Sequence, residues 1–255
     1  MKKLFGLARD LWHAGGTGGL NWHVHAYATR SQWLGTIAEM DRFLQRIRPN
    51  TKELVLIGAS AGWMMPPNWL ARFDRIDAYD IDPLAAHLFR WRHGQSLRAQ
   101  GIELVMHRQD ALTSLPELLQ RHPQACLWFD NLLGQHRYRV RDEVRAEQEI
   151  AALKHQLHGR SWGSVHDLYS GPTQDMAWAV RIKSLTRDGV DASQLDNQQA
   201  QALLQDVGAK DVWSDHLTTQ VFPPGTATTL IPWPFKDQHC HWLQAGWVAP
   251  TRANP

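Results

Sequence analysis

The sequence predicts an α/β fold built on an open, doubly wound, mostly parallel sheet with helices on both faces, and three observations carry that expectation. First, Glu53 to Ile57 holds an apolar run too short for a helix and too apolar throughout for a half-exposed strand, so it reads as a strand buried on both faces. Second, small residues follow at once, Gly58, Ala59, Ser60, Ala61 and Gly62. Such a loop turns sharply and lets backbone approach a ligand, because Gly is unstrained at positive φ and Ala and Ser add little bulk. Third, a strand at 75–79 ends on Asp80, 22 positions after Gly58. That is close to the separation of roughly 20 at which the first strand-to-helix loop and the end of the second strand face one ribose.

Further strands follow at intervals that leave room for helices. The run 101–106 precedes Gln109, Asp110 and Ala111, the run 125–129 precedes Asp130 and Asn131, and the run 162–165 precedes His166 and Asp167. Each apolar run is capped by polar groups at its carboxyl end, which in an open parallel sheet forms the ligand crevice. Four strands delivering acids or amides there predict one site.

The other elements follow in chain order. Residues 10–30 carry Gly15, Gly16, Gly18 and Gly19 with Trp22, His23 and His25, and have no clear period, so a shaped loop or lid is expected. The Lys and Ser/Thr of a phosphate-binding loop are missing. His23 and His25 would share a face if extended, but no third ligand stands at a recognisable spacing, and no metal is expected. From Ser31 as N-cap, Trp33, Leu34, Ile37, Met40, Leu44 and Ile47 recur at helical spacing, ending ahead of Pro49. Pro66 and Pro67 open a short helix through Phe73, whose first amides would favour a carboxylate. A helix from Leu84 to about Leu97 should turn Leu84, Leu88 and Trp91 inward and Arg90, Arg92 and Arg98 outward. The basic stretch 136–145 is followed by enough acid to be neutralised on a helix surface. Helices at 176–185 and 197–207, strands at 211–217 and 239–248, and a proline and aromatic loop at 222–235 complete the chain.

A chain of 255 residues suits one α/β domain with additions, and a core of that size needs no disulfide staple. The net charge of +2 is too small to argue for nucleic acid, which is not expected as a partner. Two cysteines, Cys126 and Cys240, suit reduced, buried thiols. The amino terminus begins basic, but its apolar part is interrupted at Arg9 and Asp10, too early for an export signal, and no run approaches the ~18 apolar residues of a membrane span. A cytoplasmic protein is expected. The 13 tryptophans can pack the core and also wall a pocket for a flat substrate.

The loop 58–62 together with Asp80-Ile-Asp-Pro83 resembles class I, Rossmann-like S-adenosylmethionine-dependent methyltransferases, in an order of motifs that covers about residues 51 to 250. The resemblance implies a seven-stranded sheet with an antiparallel last strand. It also implies two parts, residues 1–50 as an N-terminal lid segment and packing helix and residues 51–255 as the catalytic domain. S-adenosylmethionine is the implied cofactor, with Gly58, Ala59, Ser60 and Gly62 under its amino-acid end, Asp80 or Asp82 at the ribose, and Asp110 with the amide of Ala111 at the adenine edge. Asp130 and Asn131 would meet the methyl acceptor, and His166 could take a proton from an oxygen or nitrogen nucleophile, on an acceptor expected to be a small molecule. The acceptor pocket is expected between the N-terminal lid with Trp22, His23 and His25, the strand ends at Asn131 and His166, and the loop around Trp233. Two alternatives stay open. A non-catalytic binding protein of this fold is favoured by Leu56, where the family often carries an acid. An NAD-dependent oxidoreductase would need glycines at Ser60 and Trp63.

Overall fold

The structure, a computed structural model, describes residues 18–140, 142–172, 214–236 and 238–250. The expected helices at 176–185 and 197–207 lie outside them, as does the first part of the glycine-rich segment. The eight strands belong to one mixed sheet. The chain divides into two compact units, Met1–Ile37 with Arg48–Asp130 and Ala38–Ile47 with Asn131–Pro255, taken in turn below.

In the first unit, β1 (Glu53–Ile57) lies between β2 (Arg75–Asp80) and β4 (Cys126–Asp130), and β3 (Glu103–Arg108) pairs with β2, every pairing being parallel. Leu54 to Ile57 and Cys126 to Phe129 are buried, as continuous apolar runs in a sheet covered on both faces should be. The resulting order, β3-β2-β1-β4, brings the ends of β2 and β4 to either side of the loop that leaves β1.

Three local expectations change here. Residues 20–29 form a helix, α1 (Leu20–Thr29), not a loop. The glycines stop at Gly19, and from Leu20 onward nothing in the sequence breaks a helix. The helix turns about 100° per residue, so His23 is buried while His25, two positions on, stands on another face. The helix opened by the prolines, α3 (Pro67–Leu70), is a single turn shorter than the one expected through Phe73, and its Trp69 and Leu70 amides bond Pro66 O. The third change lies after β2, where α4 (Ala85–Phe89) continues through a π-helical turn at Arg90–Gly94 into α5 (Gln95–Ala99). The inward face, already set by Ala85 and Phe89 before this turn, continues through His93 and Leu97 and leaves Trp91 exposed. Arg92, expected outward, is half-buried with its guanidinium 4.4 Å from the ring centre of Trp63.

The helix α2 (Leu34–Arg46) begins after a turn at 30–33. Trp33, Thr36, Met40, Phe43, Leu44 and Ile47 are buried along it, and Leu34, expected inward, is exposed. Beyond β3, α6 (Leu115–Arg121) leads into β4.

In the second unit, a 3₁₀ turn (Leu133–Gln135) leads into α7 (His136–Val140) and α8 (Glu143–Gln156). Asp142 caps α8 by accepting a hydrogen bond from Arg145 N. The basic stretch is neutralised as expected, by Arg137–Glu143, Arg145–Glu149 and His136–Glu149 pairs. The strand β5 (Trp162–Pro172) is far longer than the four residues expected, and pairs antiparallel with β8 (His239–Val248), which pairs antiparallel with β7 (Thr228–Lys236). Of the strand expected at 211–217, the described part contributes only β6 (Ser214–Asp215), paired with β5.

The proline and aromatic segment corrects another expectation, because Thr228 to Lys236 is a strand although it contains Pro232 and Pro234. It is the edge strand of the sheet, and on an edge a residue without an N–H costs no ladder bond on its open side. Cys126 and Cys240 are buried free thiols.

Candidate functional site

The end of β1 and the loop after it are built for close approach. Gly58 and Gly62 hold φ values of 77° and 62°, and Ser60 between them holds 45°. A side chain in this left-handed region costs roughly 1–2 kcal/mol, so something must hold Ser60 there. Two bonds do: Ser60 N donates to Asp80 Oδ2 at 2.7 Å, and Trp22 Nε1 donates to Ser60 Oγ at 3.1 Å. Strain held by its surroundings is characteristic of ligand sites. Gly62 is required twice, since a Cβ there would meet His93 Nε2 at 2.6 Å.

Asp80 is the centre of this arrangement. Its Oδ1 accepts from Asp82 N at 2.8 Å, so both oxygens orient backbone around the loop while each keeps a second lone pair for a ligand hydroxyl. Burial pushes its carboxyl up to about 6, and the Asp82 charge adds to that against the two amides. Asp130, at the end of β4, is pushed up to about 7 by burial, with the Asp80 charge adding to it. Two strand-end carboxylates thus repel each other in a dry setting, an arrangement that a cation between or beside them would relieve.

Asp82 does different work. Its Oδ2 accepts from Gly19 N at 2.7 Å and from His23 Nε2 at 2.9 Å, and its Oδ1 accepts from Leu84 N at 2.8 Å. Because Trp63 Nε1 donates to His23 Nδ1 at 3.2 Å, the histidine proton sits on Nε2. Against the effect of burial, the His23 and backbone donors hold the Asp82 carboxyl below its usual range. Asp82 is therefore the anchor that ties the start of α1 to the turn after β2. Gly18 also abuts it, since a Cβ there would lie 2.7 Å from Asp82 Oδ2.

Asp110 closes the turn after β3, where its Oδ1 accepts from Leu112 N at 3.1 Å and its carbonyl accepts from Ser114 Oγ at 2.7 Å. Gln109 N bonds Asp80 O at 3.1 Å, so this turn is tethered to the end of β2, with Ala111 buried beside it. Gly58, Ala59, Ser60, Gly62, Asp80, Asp82, Asp110, Ala111 and Asp130 all belong to the first unit. Trp22 and His23, expected in the lid over the acceptor pocket, reach Ser60 and Asp82 from α1, and Trp63, to which spacing gave no site role, joins them through its bond to His23.

The remaining candidates belong to the second unit. Asn131 holds φ 50°, its N bonds Val165 O at 2.8 Å, and its buried Oδ1 has no hydrogen-bond partner among the described residues. His166 is fully buried, with Nδ1 2.9 Å from Ser164 Oγ and Nε2 3.0 Å from Gln244 Oε1. Burial pushes it down to about 4. In this arrangement the ring is a core hydrogen-bonding group with neither nitrogen open to a substrate proton. Trp233 is buried within β7.

The strand-end acids and the glycine-bearing loop stand at the carboxyl ends of parallel strands, where open α/β sheets have their ligand crevice. No protein-family model and no curated protein matches the chain. Among solved structures it is similar to magnesium protoporphyrin IX methyltransferase of Synechocystis with bound SAH, at 14% identity and TM-score 0.42, over 96% of this chain and 94% of that one. It is similar also to the N-methyltransferase NodS of Bradyrhizobium japonicum, at 12% and 0.42 over 95% and 96%. A third is a SAM-dependent methyltransferase of Anabaena variabilis, at 10% and 0.45 over 90% and 93%. Likenesses this distant leave function to be argued from the residues themselves.

Proposed function

We propose that the chain binds S-adenosylmethionine at the loop 58–62 and catalyses methyl transfer to an oxygen or nitrogen of a small molecule. The observation that carries this reading is the joint placement of Asp80 and Asp130 around a loop held at positive φ at three positions. A ribose supplies hydroxyl donors for Asp80, and a sulfonium supplies the positive charge that two mutually repelling carboxylates lack. NAD offers the hydroxyls without that charge, and its usual loop needs glycine where Ser60 and Trp63 stand.

S-adenosylmethionine would supply a methyl group already activated on sulfur, so what remains for the protein is to align the nucleophile and exclude water. Asp80 would hold the ribose, Asp110 and the Ala111 amide the adenine edge, and Gly58 to Gly62 the amino-acid end. Asp82 acts through His23 and Gly19 to hold α1 against the loop. On the acceptor side we assign Asp130 and Asn131, the latter because a buried acceptor oxygen without a partner suits an N–H or O–H of the molecule to be methylated. His166 enters as a buried support of the strand end.

Among the described residues no helix is long and apolar enough to cross a membrane. We place the protein in the cytoplasm on the same grounds as in the sequence, its reduced thiols and its lack of a long apolar run. The test is direct: protein purified without added ligand is denatured and the supernatant analysed for S-adenosylmethionine or its demethylated product. Release of a nicotinamide dinucleotide in their place would overturn the reading.

A further inference from the structure

Away from the carboxylates of the first unit, Asp167, His216 and His241 bring one ligand atom each to within 4.8 Å of one another. The three come from separate segments, β5, the turn after β6 and β8. Backbone holds each in place. His216 N donates to Leu168 O at 3.1 Å, Thr218 Oγ1 donates to Asp167 O at 2.8 Å, and the β5–β8 register shifts between Asp167 and Tyr169. A bulge of this kind re-aims a side chain that a regular ladder would point elsewhere.

The outer contacts are those of a ligand set. His216 Nδ1 lies 3.0 Å from the carbonyl of Gly134, which can only accept, so the proton is on Nδ1 and the lone pair is on Nε2. Fixing an imidazole tautomer through a carbonyl on its far nitrogen is how proteins present histidine to a metal. Gly134 can come so close because it has no side chain, and a Cβ there would lie 2.8 Å from Asp167 Cβ. Asp167 is fully buried, with Oδ1 2.8 Å from His241 Nδ1 and Oδ2 accepting from Gln135 Nε2 at 3.2 Å.

We propose that Asp167, His216 and His241 form a binding site for a divalent transition-metal ion of the zinc class, held by two imidazoles and one carboxylate. Asp167 Oδ1 and His241 Nδ1, hydrogen-bonded at 2.8 Å, stand closer than the ~3.3 Å between neighbouring tetrahedral ligands about 2.0–2.1 Å from one ion, so this pair opens slightly as an ion enters. Neighbouring tetrahedral ligands of that length stand ~3.3 Å apart, so pairs as wide as 4.8 Å close by up to about 1.5 Å on binding, and His216 Nε2 exchanges its 2.9 Å contact with Ser170 Oγ for the ion. The His241 side chain keeps 12% of its surface exposed, which gives an ion its route in. Cys240 stays outside the set, with its buried thiol bonded to Trp233 O. Three protein ligands leave a position for water or for an oxygen of a bound molecule, whose proton the ion would make easier to lose. The site stands on these three residues and does not depend on the methyl-transfer reading.

The test uses the full chain made without a histidine tag, stripped by chelator and titrated with Co²⁺, the optically visible substitute for Zn²⁺. One Co²⁺ per chain is expected, with visible absorption that Zn²⁺ abolishes. The binding should be lost in His216→Gln and His241→Gln and kept in His239→Gln, whose ring lies 5.5 Å from that of His241 without joining the set. Circular dichroism matching the parent separates loss of a ligand from loss of the fold. Should His216→Gln fail to fold, His241→Gln, at the exposed edge, decides alone. Absence of saturable binding, or binding unchanged in His241→Gln, overturns the proposal and leaves a hydrogen-bonded network around the Asp167–His241 pair. Binding lost equally in His239→Gln overturns it too, by placing the ion elsewhere.

Discussion

If Asp80 and Asp130 receive a sulfonium ligand, binding must release protons, and the amount follows from the structure. Without ligand their carboxyls titrate near about 6 and about 7. At about pH 6.5, groups with those values are protonated for roughly a quarter and roughly three quarters of the time, so the pair carries about one proton. The two interact, and it is the pair that holds this proton. A cation beside them drives both to the carboxylate, so S-adenosylmethionine should release about one proton per chain at that pH and almost none near pH 8.5. Calorimetry in buffers of different ionisation enthalpy reads the number as the slope of observed heat against buffer enthalpy. The demethylated product, neutral at sulfur, should release clearly less, and Asp130→Asn should leave only the Asp80 share, about a quarter of a proton. A heat of binding independent of buffer at about pH 6.5 would refute the placement of a cation at these carboxylates.

Three further outcomes are expected. Asp80→Asn keeps the size of the side chain but loses charge-assisted acceptance, which should weaken S-adenosylmethionine by about 1.5–3 kcal/mol per lost bond, or roughly tenfold or more, by the same calorimetry; unchanged affinity would move the ribose contact elsewhere. Asp130→Asn should change stability in a pH-dependent way. The folded carboxyl titrates near about 7 against 3.8 when unfolded, so the native state holds the extra proton between those values and ionised Asp130 is a growing cost as pH rises through them. The variant should match the parent below about pH 4 and exceed it by up to about 4 kcal/mol above pH 7, from roughly three pKa units at 1.36 kcal/mol each, as read by urea unfolding; a difference that shrinks as pH rises would contradict the burial of that carboxylate. Gly62→Ala places a side chain at φ 62° and 2.6 Å from His93 Nε2, and should cost at least about 1–2 kcal/mol in the same unfolding assay and loosen the loop to hydrogen exchange.

What could be read from the sequence was whatever depends on local pattern. The buried strands β1, β2 and β4 announce themselves as short apolar runs, and the acids at their ends follow from the same rows of residues. The conformation of Ser60 was not legible, because it is set by Asp80 and by Trp22, 38 positions away. The docking of α1 was likewise not legible, because it is tied down by Asp82, which reaches Gly19 and His23 across 63 and 59 positions. The inward face after β2 was misplaced because Ala85 and Phe89 turn inward where Leu84 and Leu88 were expected to, and the π turn at Arg90–Gly94, which nothing in propensity marks, follows that face. Pro232 and Pro234 argued for a loop until the edge position of β7 removed the objection. His166 drew attention as a strand-end histidine, and only its two buried partners reveal why it is closed. Asp167, His216 and His241 share no spacing at all, so their convergence required the fold.

The measurement that tests the central claim most directly is calorimetric titration of the purified full-length chain with S-adenosylmethionine and, separately, with NAD. The account expects saturable binding of S-adenosylmethionine at one site per chain, weakened roughly tenfold or more in Asp80→Asn, with no saturable binding of NAD. Saturable NAD binding with none for S-adenosylmethionine would contradict it.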